Sequence, residues 1–251
     1  MFRSQEPKTY VYLLGGLGNN LFQINYGLSL SDRNVLFVSN LIKSKFWSWL
    51  FNWSHHEDSV LQITFLNEVN IQQISPVKVL FHLIGLKVSK FVGSPILGVS
   101  WESIHGDRVN FGYFQNTPHQ EWIVKLRTSV SLENYEHVLH MRLGDSPTLQ
   151  VDVDAQIKLL RVLGLKMIYV VTNDCNSATS ILNELDIDFE LLRGGVMDNL
   201  DALMRAKILI VPQSTFSLTA VFLSNSLETL YVNDRFWSLK GKDIRCNVVY
   251  Y

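Results

Sequence analysis

The sequence predicts an α/β protein built as two Rossmann-like lobes, each with a parallel sheet covered by helices. Two observations support this prediction. Short apolar segments alternate with helical patterns at the start of the chain, and regularly from residue 134 onward. The segments themselves are apolar, which is typical of parallel strands buried on both faces. We expect residues 1–125 to form the N-terminal lobe and residues 126–251 the C-terminal lobe, with a tail that is free to return to the first lobe.

The N-terminal lobe starts with the pattern of a βαβ unit. Its elements are a strand at 10–14, the glycine loop GGLG, a helix on which Leu21, Ile24 and Leu28 recur at helical spacing, and a strand at 35–38. Residues 40–110 mix aromatic helical segments with turns. The stretch 109–116 (VNFGYFQN) predicts a strand that ends in a loop.

The C-terminal lobe shows a regular alternation. The predicted strands are 137–141, 167–171, 189–192, 208–211 and 230–232, and the predicted helices are 155–164, 177–185, 197–206 and 216–224. Ligands of open parallel sheets bind beyond the carboxyl ends of the strands. The polar residues found there are His140, Arg142, Asp145, Asn173, Asp174, Arg193, Gly194, Gly195, Ser214, Thr215 and Ser217. An arginine just past a buried strand, flanked by hydroxyl and amide groups, suits an anionic, nucleotide-like ligand.

Composition excludes several classes of protein. The 22 Lys and Arg residues nearly balance the 23 Asp and Glu residues, so the chain has no overall basic field for nucleic acid. Cys175 and Cys246 lack the spacing of a disulfide framework or a zinc site. The start of the chain has no signal-peptide core, and no apolar run reaches the roughly 18 residues of a membrane span. We therefore expect a cytoplasmic protein.

Two segments raise the alternative of contact with a membrane surface. Segment 41–53 (LIKSKFWSWLFNW) places three tryptophans near two lysines, and segment 77–97 mixes apolar residues with Lys78, Lys87 and Lys90. Either could lie on an anionic bilayer, with tryptophans at the level of the headgroups. Buried helices with exposed lysines are the favoured interpretation. Peripheral contact with the inner face of the cytoplasmic membrane is the alternative.

The glycine loop only partly matches a dinucleotide-binding motif. Gly16 and Gly18 supply the first two glycines of GxGxxG, but Leu21 occupies the third position. The second strand ends in Ser39 and Asn40, so no acidic group is present for a ribose. Binding of an anion or of sugar hydroxyls at the start of a helix, or a tight turn without a ligand, both stay open.

Three further motifs have a structural and a chemical interpretation. In HMRLGD (140–145), Arg142 either binds phosphate or pairs with Asp145 or Asp152. VDVDAQ (151–156) resembles an Asp-x-Asp metal site, but we favour Asp154 as a helix N-cap and expect no metal. In QSTFSLTA (213–220) the hydroxyls suit N-capping, and the absence of GxSxG argues against a hydrolase nucleophile.

Taken together and in order, the motifs resemble the α-1,2-fucosyltransferase family, glycosyltransferase family 11. GGLGNNLFQ is similar to the family's GGLGNQLFQ, FGYFQN to GYFQS, and HMRLGD to HxRRGD. VVTNDCN resembles a strand ending in SDD, and DALM followed by VPQSTFSLTA resembles LM followed by ANSSFSWWAA. The sequence departs from the family at Leu143, which replaces an arginine, at Asn20, and at Leu218-Thr219.

The resemblance implies a GT-B fold, in which two Rossmann-like lobes face a central cleft. The implied activity is metal-independent, inverting transfer of L-fucose or a related 6-deoxysugar from its GDP donor to a galactose-type hydroxyl of a glycan. The linkage would be α-1,2, in a surface polysaccharide such as lipopolysaccharide O-antigen. The acceptor would be an oligosaccharide, either free or linked to a lipid. No cofactor is implied. The alternatives are GDP-colitose as the donor, a non-catalytic protein that binds carbohydrate or nucleotide, and a nucleotide-dependent oxidoreductase, which Leu21 argues against.

The resemblance also implies roles for individual residues. Arg142 would stabilise the leaving diphosphate, His140 would position the donor, and Asp145 would orient Arg142, while Asp145, His140 and Glu102 are candidates for the general base. Tyr113 and Gln115 would contact the acceptor. The implied donor-binding residues are Gly16, Gly18, Asn19, Arg142, Asn173, Asp174, Ser214, Thr215, Phe216 and Ser217.

Overall fold

A computed structural model of the chain describes residues 8–30, 34–39, 69–88, 99–102, 108–111, 122–126, 134–143, 148–233, 239 and 244–251. The chain separates into two compact units, Met1–Arg127 and Thr128–Tyr251. Each unit contains a sheet made mainly of parallel strands together with helices, so the protein is α/β.

The first unit contains a five-stranded sheet in the order β3-β2-β1-β5-β4. All neighbouring strands are parallel except β4 and β5, which form an antiparallel pair. The strands are β1 Thr9–Tyr12, β2 Val35–Val38, β3 Ile71–Gln72, β4 Val99–Glu102 and β5 Arg108–Phe111, and the helices among the described residues of this unit are α1 Leu17–Ser29 and α2 Pro76–Val88. Because β2 and β3 lie on one side of β1 and β5 lies on the other, the chain changes direction at β1. The glycine loop follows this strand.

Helix α1 packs closely against the sheet. Its residues Leu21 and Ile24 are fully buried, as the helical spacing predicts. Gly27 lies so near the ring of Phe37 in β2 that a Cβ atom would collide with that ring. The close helix–strand contact therefore occurs at Gly27, near the end of the helix, and not at Leu21.

The second unit contains a six-stranded parallel sheet in the order β11-β10-β9-β6-β7-β8. Counted along this unit from β6, the order is 3-2-1-4-5-6 read from the β8 edge, which is the strand order of a Rossmann fold. The strands are β6 Tyr135–Met141, β7 Met167–Thr172, β8 Asp188–Leu191, β9 Ala206–Val211, β10 Thr229–Val232 and β11 Asn247–Tyr250. The helices are α3 Thr148–Leu163, α4 Cys175–Leu182, α5 Val196–Met204 and α6 Thr215–Leu223.

The apolar strands of the second unit form its core. Leu139 and Met141 of β6 pack in one cluster with Ile168 and Val170 of β7 and with Ile210 of β9. All five side chains are at most 1% exposed, and burying an aliphatic side chain of this size contributes about 1.5–3 kcal/mol. The core therefore fixes the central strands, and with them the positions at which their carboxyl ends stop.

The sequence-based elements need two corrections in this unit. Helix α3 begins at Thr148 and not at 155, so Asp154 lies inside the helix and is not its N-cap. The last strand is β11 and not 230–232, and it pairs in parallel with β10. Residues Asn247–Tyr250 of the C-terminal tail therefore belong to the second sheet. In the first unit, β3 and β4 were not predicted individually.

Candidate functional site

The strand order of the second unit creates a crevice at the carboxyl ends of its two central strands, β6 and β9. Strands β6 and β9 are neighbours, with Val138 of β6 opposite Leu209 of β9. The chain leaves β6 toward β7 on one side and leaves β9 toward β10 on the other. At such a switch point the two connections diverge beyond the carboxyl ends of the strands, where open α/β sheets bind ligands. The residues predicted from sequence that lie at these two strand ends are His140, Arg142, Ser214, Thr215, Phe216 and Ser217.

His140 links the two sides of the crevice. Its Nδ1 shares a hydrogen bond with the hydroxyl of Ser217 in α6, and both side chains are buried. The ring also packs edge-on against Phe216, with 5.8 Å between the ring centroids. The backbone oxygen of His140 accepts a hydrogen bond of 2.9 Å from Nε2 of Gln156 in α3. Contacts from two helices therefore fix this residue.

Burial keeps the His140 imidazole neutral. Burial first, and then the nearby positive charge of Arg142, lower its pKa from 6.5 to about 3. A general base works best with a pKa near the working pH, so this imidazole is poorly suited to take a proton from an acceptor hydroxyl. The geometry favours a role in positioning.

Arg142 is the first residue after β6 and lies next to this neutral imidazole. Its side chain is half-buried. The positive charge of its guanidinium is the second cause, after burial, of the lowered pKa of His140. Of the acidic partners considered from sequence, Asp152 accepts a hydrogen bond from the backbone N–H of Gln213, and Asp145 lies outside the described residues.

Helix α6 begins at the crevice without a side-chain cap. Its N-cap residue, Ser214, is 3% exposed, yet its hydroxyl makes no capping bond and has no hydrogen-bond partner among the described residues. The first N–H groups of a helix have no partner within the helix and carry partial positive charge. The start of α6 can therefore receive the oxygens of an anion, with the buried hydroxyl of Ser214 as a further donor.

Asn173 and Asp174 shape the loops around the crevice. The side-chain amide of Asn173 accepts a bond of 2.7 Å from the backbone N–H of Leu143 and donates one of 2.6 Å to its carbonyl oxygen. Asp174 caps α4 by accepting bonds from the N–H and hydroxyl of Ser177, at 3.1 and 2.6 Å. These bonds lower the pKa of Asp174. Direct contacts of Asn173 and Asp174 with a guanine or ribose stay predictions.

The two aspartates of VDVDAQ do not form a pair. Asp152 is 6% exposed, and its Oδ2 accepts a bond of 3.1 Å from Gln213 in the loop between β9 and α6. Asp154 is exposed and lies two residues further along the same helix, on a nearly opposite side. Asp152 supports the loop that precedes Ser214. Among the described residues no cluster of three His, Cys, Asp or Glu side chains could hold a metal ion.

Three residues that support the site are not predicted from the sequence: Asp152 as the acceptor for the N–H of Gln213, Gln156 and Tyr251. The hydroxyl of Tyr251 donates a bond of 3.1 Å to the carbonyl oxygen of Val211, at the end of β9. Burial, and then the Asp152 carboxylate, raise the pKa of that hydroxyl. The spacing of Asp152 and Gln156 places them on one helix face, but the helix was predicted to start after Asp152.

The glycine loop of the first unit is held by side chains from α1. Gly15 has a φ of 72°, which favours glycine, and Gly16 is the N-cap of α1. The N–H of Leu14 donates to Oε1 of Gln23 at 2.8 Å, and Nδ2 of Asn20 donates to the carbonyl oxygen of Leu14 at 2.9 Å. Gly18 and the half-buried Asn19 lie in the first turn of the helix.

Several predicted site residues either fall outside the described residues or lie away from the crevice. Asp145, Tyr113 and Gln115 are outside the described residues, and only the backbone of Glu102 is described, in β4. Arg193, Gly194 and Gly195 follow β8, the edge strand, and are two strands away from β6.

The first unit also has a cavity of about 720 Å³, which is separate from the glycine loop. Its lining includes Lys8, Asn34 and Asn70, which precede β1, β2 and β3. These residues lie at the amino ends of the strands, whereas the glycine loop follows the carboxyl end of β1. The cavity is therefore not the site that the motifs predict.

Comparisons with known proteins do not assign the chain to a family. Family models, curated proteins and solved structures were each compared with the chain, and none of them matches it. In the part of the chain that the structure describes, no helix combines the length and apolar character needed to cross a bilayer.

Proposed function

We propose that the protein is an inverting, metal-independent glycosyltransferase. It would move L-fucose or a related 6-deoxysugar from a GDP donor to a galactose-type hydroxyl of a glycan, in α-1,2 linkage, during synthesis of a surface polysaccharide. The proposal includes the GT-B architecture that the motif resemblance implies. One observation carries it: Arg142 and the uncapped start of α6 at Ser214 occupy the two diverging strand ends of a Rossmann crevice.

This arrangement suits the charge that develops during glycosyl transfer. As the bond between the sugar and the diphosphate lengthens, positive charge grows on the sugar and negative charge grows on the leaving oxygens. A guanidinium at Arg142 and the N–H groups at the start of α6 would stabilise those oxygens without transferring a proton. Because His140 is neutral, its imidazole does not repel the positive charge of Arg142.

The acceptor side of the proposal rests on the motif resemblance. The glycine loop, with Gly16, Gly18 and Asn19, together with Tyr113 and Gln115, would meet the acceptor or the donor sugar. Burial and the low pKa of His140 favour a positioning role for its imidazole over that of the base that deprotonates the acceptor hydroxyl. Asp145 and Glu102 stay candidates for this role.

A binding protein without turnover is the second candidate, and Leu143 favours it. The family motif has an arginine at this position, whereas the Leu143 side chain is 8% exposed and belongs to the apolar core of the second unit. Position 143 therefore supplies no second cation to a diphosphate. GDP-colitose as the donor is a variant of the first candidate.

Two measurements separate these possibilities. GDP should raise the melting temperature of the protein, and NAD should not; stabilisation by NAD alone would instead indicate an oxidoreductase. GDP release should then be followed with GDP-fucose, GDP-colitose and GDP-mannose, each with and without a galactose-terminated acceptor. Acceptor-dependent release from one donor supports a transferase. Binding of GDP without turnover of any donor supports the binding protein.

A further inference from the structure

Two polar residues of helix α2, Lys78 and His82, face the sheet of the first unit. Nζ of Lys78 lies 2.6 Å from the hydroxyl of Tyr10 and 4.5 Å from the centroid of its ring. One turn later, Nδ1 of His82 lies 3.0 Å from the hydroxyl of Tyr12, and His82 is 2% exposed. Since Tyr10 and Tyr12 lie on the same side of β1, these two contacts fix which side of the helix meets the sheet.

The opposite side of α2 exposes apolar side chains. Val77, Leu80 and Phe81 are 63%, 50% and 56% exposed, and they are neighbours at helical spacing. A surface helix normally buries its apolar side and exposes its polar side. Here the polarity of these positions is reversed: His82 is buried and Lys78 is half-buried, whereas three large apolar residues are exposed. We call Val77, Leu80 and Phe81 the outer face of α2.

The inner contacts show why this orientation is stable. The ring of His82 packs against Tyr10 as well as Tyr12, with centroid distances of 4.9 and 5.9 Å, and Val79 beside it is fully buried. Rotating the helix to bury the outer face would break the contacts of Lys78 and His82 and leave the two buried tyrosine hydroxyls without them. The contacts of Lys78 and His82 with Tyr10 and Tyr12 therefore keep the outer face exposed.

The charge of the surrounding segment indicates what meets this face. From Val69 to Trp101 the sequence contains three lysines, Lys78, Lys87 and Lys90, and no acidic residue. Although Lys78 contacts Tyr10, the segment still carries net positive charge. Apolar side chains on a helix within a basic, acid-free segment are the combination that binds the headgroup region of an anionic bilayer.

We propose that the outer face of α2 docks the first unit on the surface of an anionic membrane. The helix lies in the interface plane, with Leu80 and Phe81 entering the boundary between headgroups and acyl chains, and the net positive charge of the segment from Val69 to Trp101 attracts anionic lipid. This surface does not depend on the proposed glycosyltransferase activity, because it lies on a different unit from Arg142 and Ser214.

Vesicle flotation tests the proposal. The full chain is mixed with vesicles of phosphatidylcholine alone, or of phosphatidylcholine with phosphatidylglycerol, at low and high salt. We expect flotation with the anionic vesicles, weaker flotation at high salt, and little with the neutral ones. Leu80→Ser combined with Phe81→Ser should weaken binding at least about tenfold. Val162→Ser is the matched control, because Val162 is 83% exposed on α3 of the other unit. This variant should float as the unchanged chain does.

Three outcomes would overturn the proposal. The unchanged chain could stay in the soluble fraction with both kinds of vesicle, or the double variant could float as well as the control. In the third outcome, sedimentation velocity shows a dimer that the double variant dissociates while no flotation occurs, and the outer face is then an interface between two copies. Circular dichroism melting of the variants confirms folding, which substitutions at exposed positions should preserve.

Discussion

Ser217 in α6 and His140 in β6 share a buried hydrogen bond although 77 positions separate them in the sequence. This bond joins the two strand ends that form the crevice of the second unit. It holds the neutral imidazole against the first turn of α6.

Ser217→Ala should destabilise the second unit by about 1–3 kcal/mol, because it leaves a buried imidazole nitrogen without its partner. Ser177→Ala is the matched control, since each serine is the third residue of its helix and Ser177 is only half-buried. The control should cost less than Ser217→Ala. Urea denaturation of both variants measures the difference, and equal costs would contradict the importance of burial at His140.

Ser214→Ala should leave stability almost unchanged, although an N-cap serine usually contributes about 1 kcal/mol. The reason is that the Ser214 hydroxyl makes no capping bond. Asp174→Ala is the comparison, because Asp174 does cap its helix, so this variant should be less stable than Ser214→Ala. Under the proposed function Ser214→Ala also weakens GDP binding about tenfold, measured by calorimetry. Unchanged GDP affinity would remove Ser214 from the donor site.

Arg142→Ala should lower the rate of GDP-sugar turnover at least about a hundredfold, which corresponds to roughly 3 kcal/mol of transition-state stabilisation. Arg142→Lys should also be slow, because lysine lacks the two-pronged donor geometry of a guanidinium. Arg161→Ala, at an exposed position in α3, provides the control and should turn over normally. Steady-state assays of GDP release give kcat and KM for each variant; near-normal turnover by Arg142→Ala would rule out its proposed role.

Asp152→Ala should destabilise the protein by about 1–3 kcal/mol, because the N–H of Gln213 loses its acceptor. Asp152→Asn keeps an oxygen at this position and should recover most of the loss. Asp154→Ala, two residues away but exposed, should cost less stability than Asp152→Ala. Thermal and urea unfolding measure all three. Turnover that EDTA abolishes would contradict the metal-independent mechanism and reopen the Asp-x-Asp interpretation.

The low pKa of His140 predicts a loss of stability in acid. The folded state holds this imidazole neutral with a pKa of about 3, whereas its ordinary value is 6.5. As the pH falls below about 6.5, the imidazole becomes protonated in the unfolded chain but stays neutral in the folded chain. The free energy of unfolding therefore falls by up to about 1.4 kcal/mol per pH unit. His140→Gln should show a shallower dependence between pH 4.5 and 6.5 in urea denaturation. Parallel curves for the two proteins would refute a neutral buried His140.

Much of the second unit is predictable because its central strands are rich in apolar residues. Residues 137–141, for example, are apolar enough to specify a buried strand, and β6 extends them by only two residues. The start of α3 is not predictable from local sequence, since Thr148–Asp154 includes β-branched residues and aspartates with low helix propensity. Tertiary contacts decide it: Val153 is buried, and Asp152 binds Gln213.

Individual polar residues of the site were predictable, but their pairing was not. The rim position of His140, Ser214 and Ser217 follows from where the strands end. The choice of Ser217 and not Ser214 as the partner of His140 depends on how α6 packs against β6, which no local pattern encodes. The reversed polarity of α2 has the same origin, because Lys78 and His82 find partners on β1.

The clasp between Asn173 and the backbone of Leu143 has a consequence for ligand affinity. Two hydrogen bonds, one in each direction, fix the peptide groups next to Arg142. Ordering a mobile residue costs about 1–2 kcal/mol of conformational entropy, and a flexible loop would lose that amount whenever a ligand arrived. In this protein folding has already ordered the backbone beside the arginine, so more of the attraction between its guanidinium and an anion remains as net affinity.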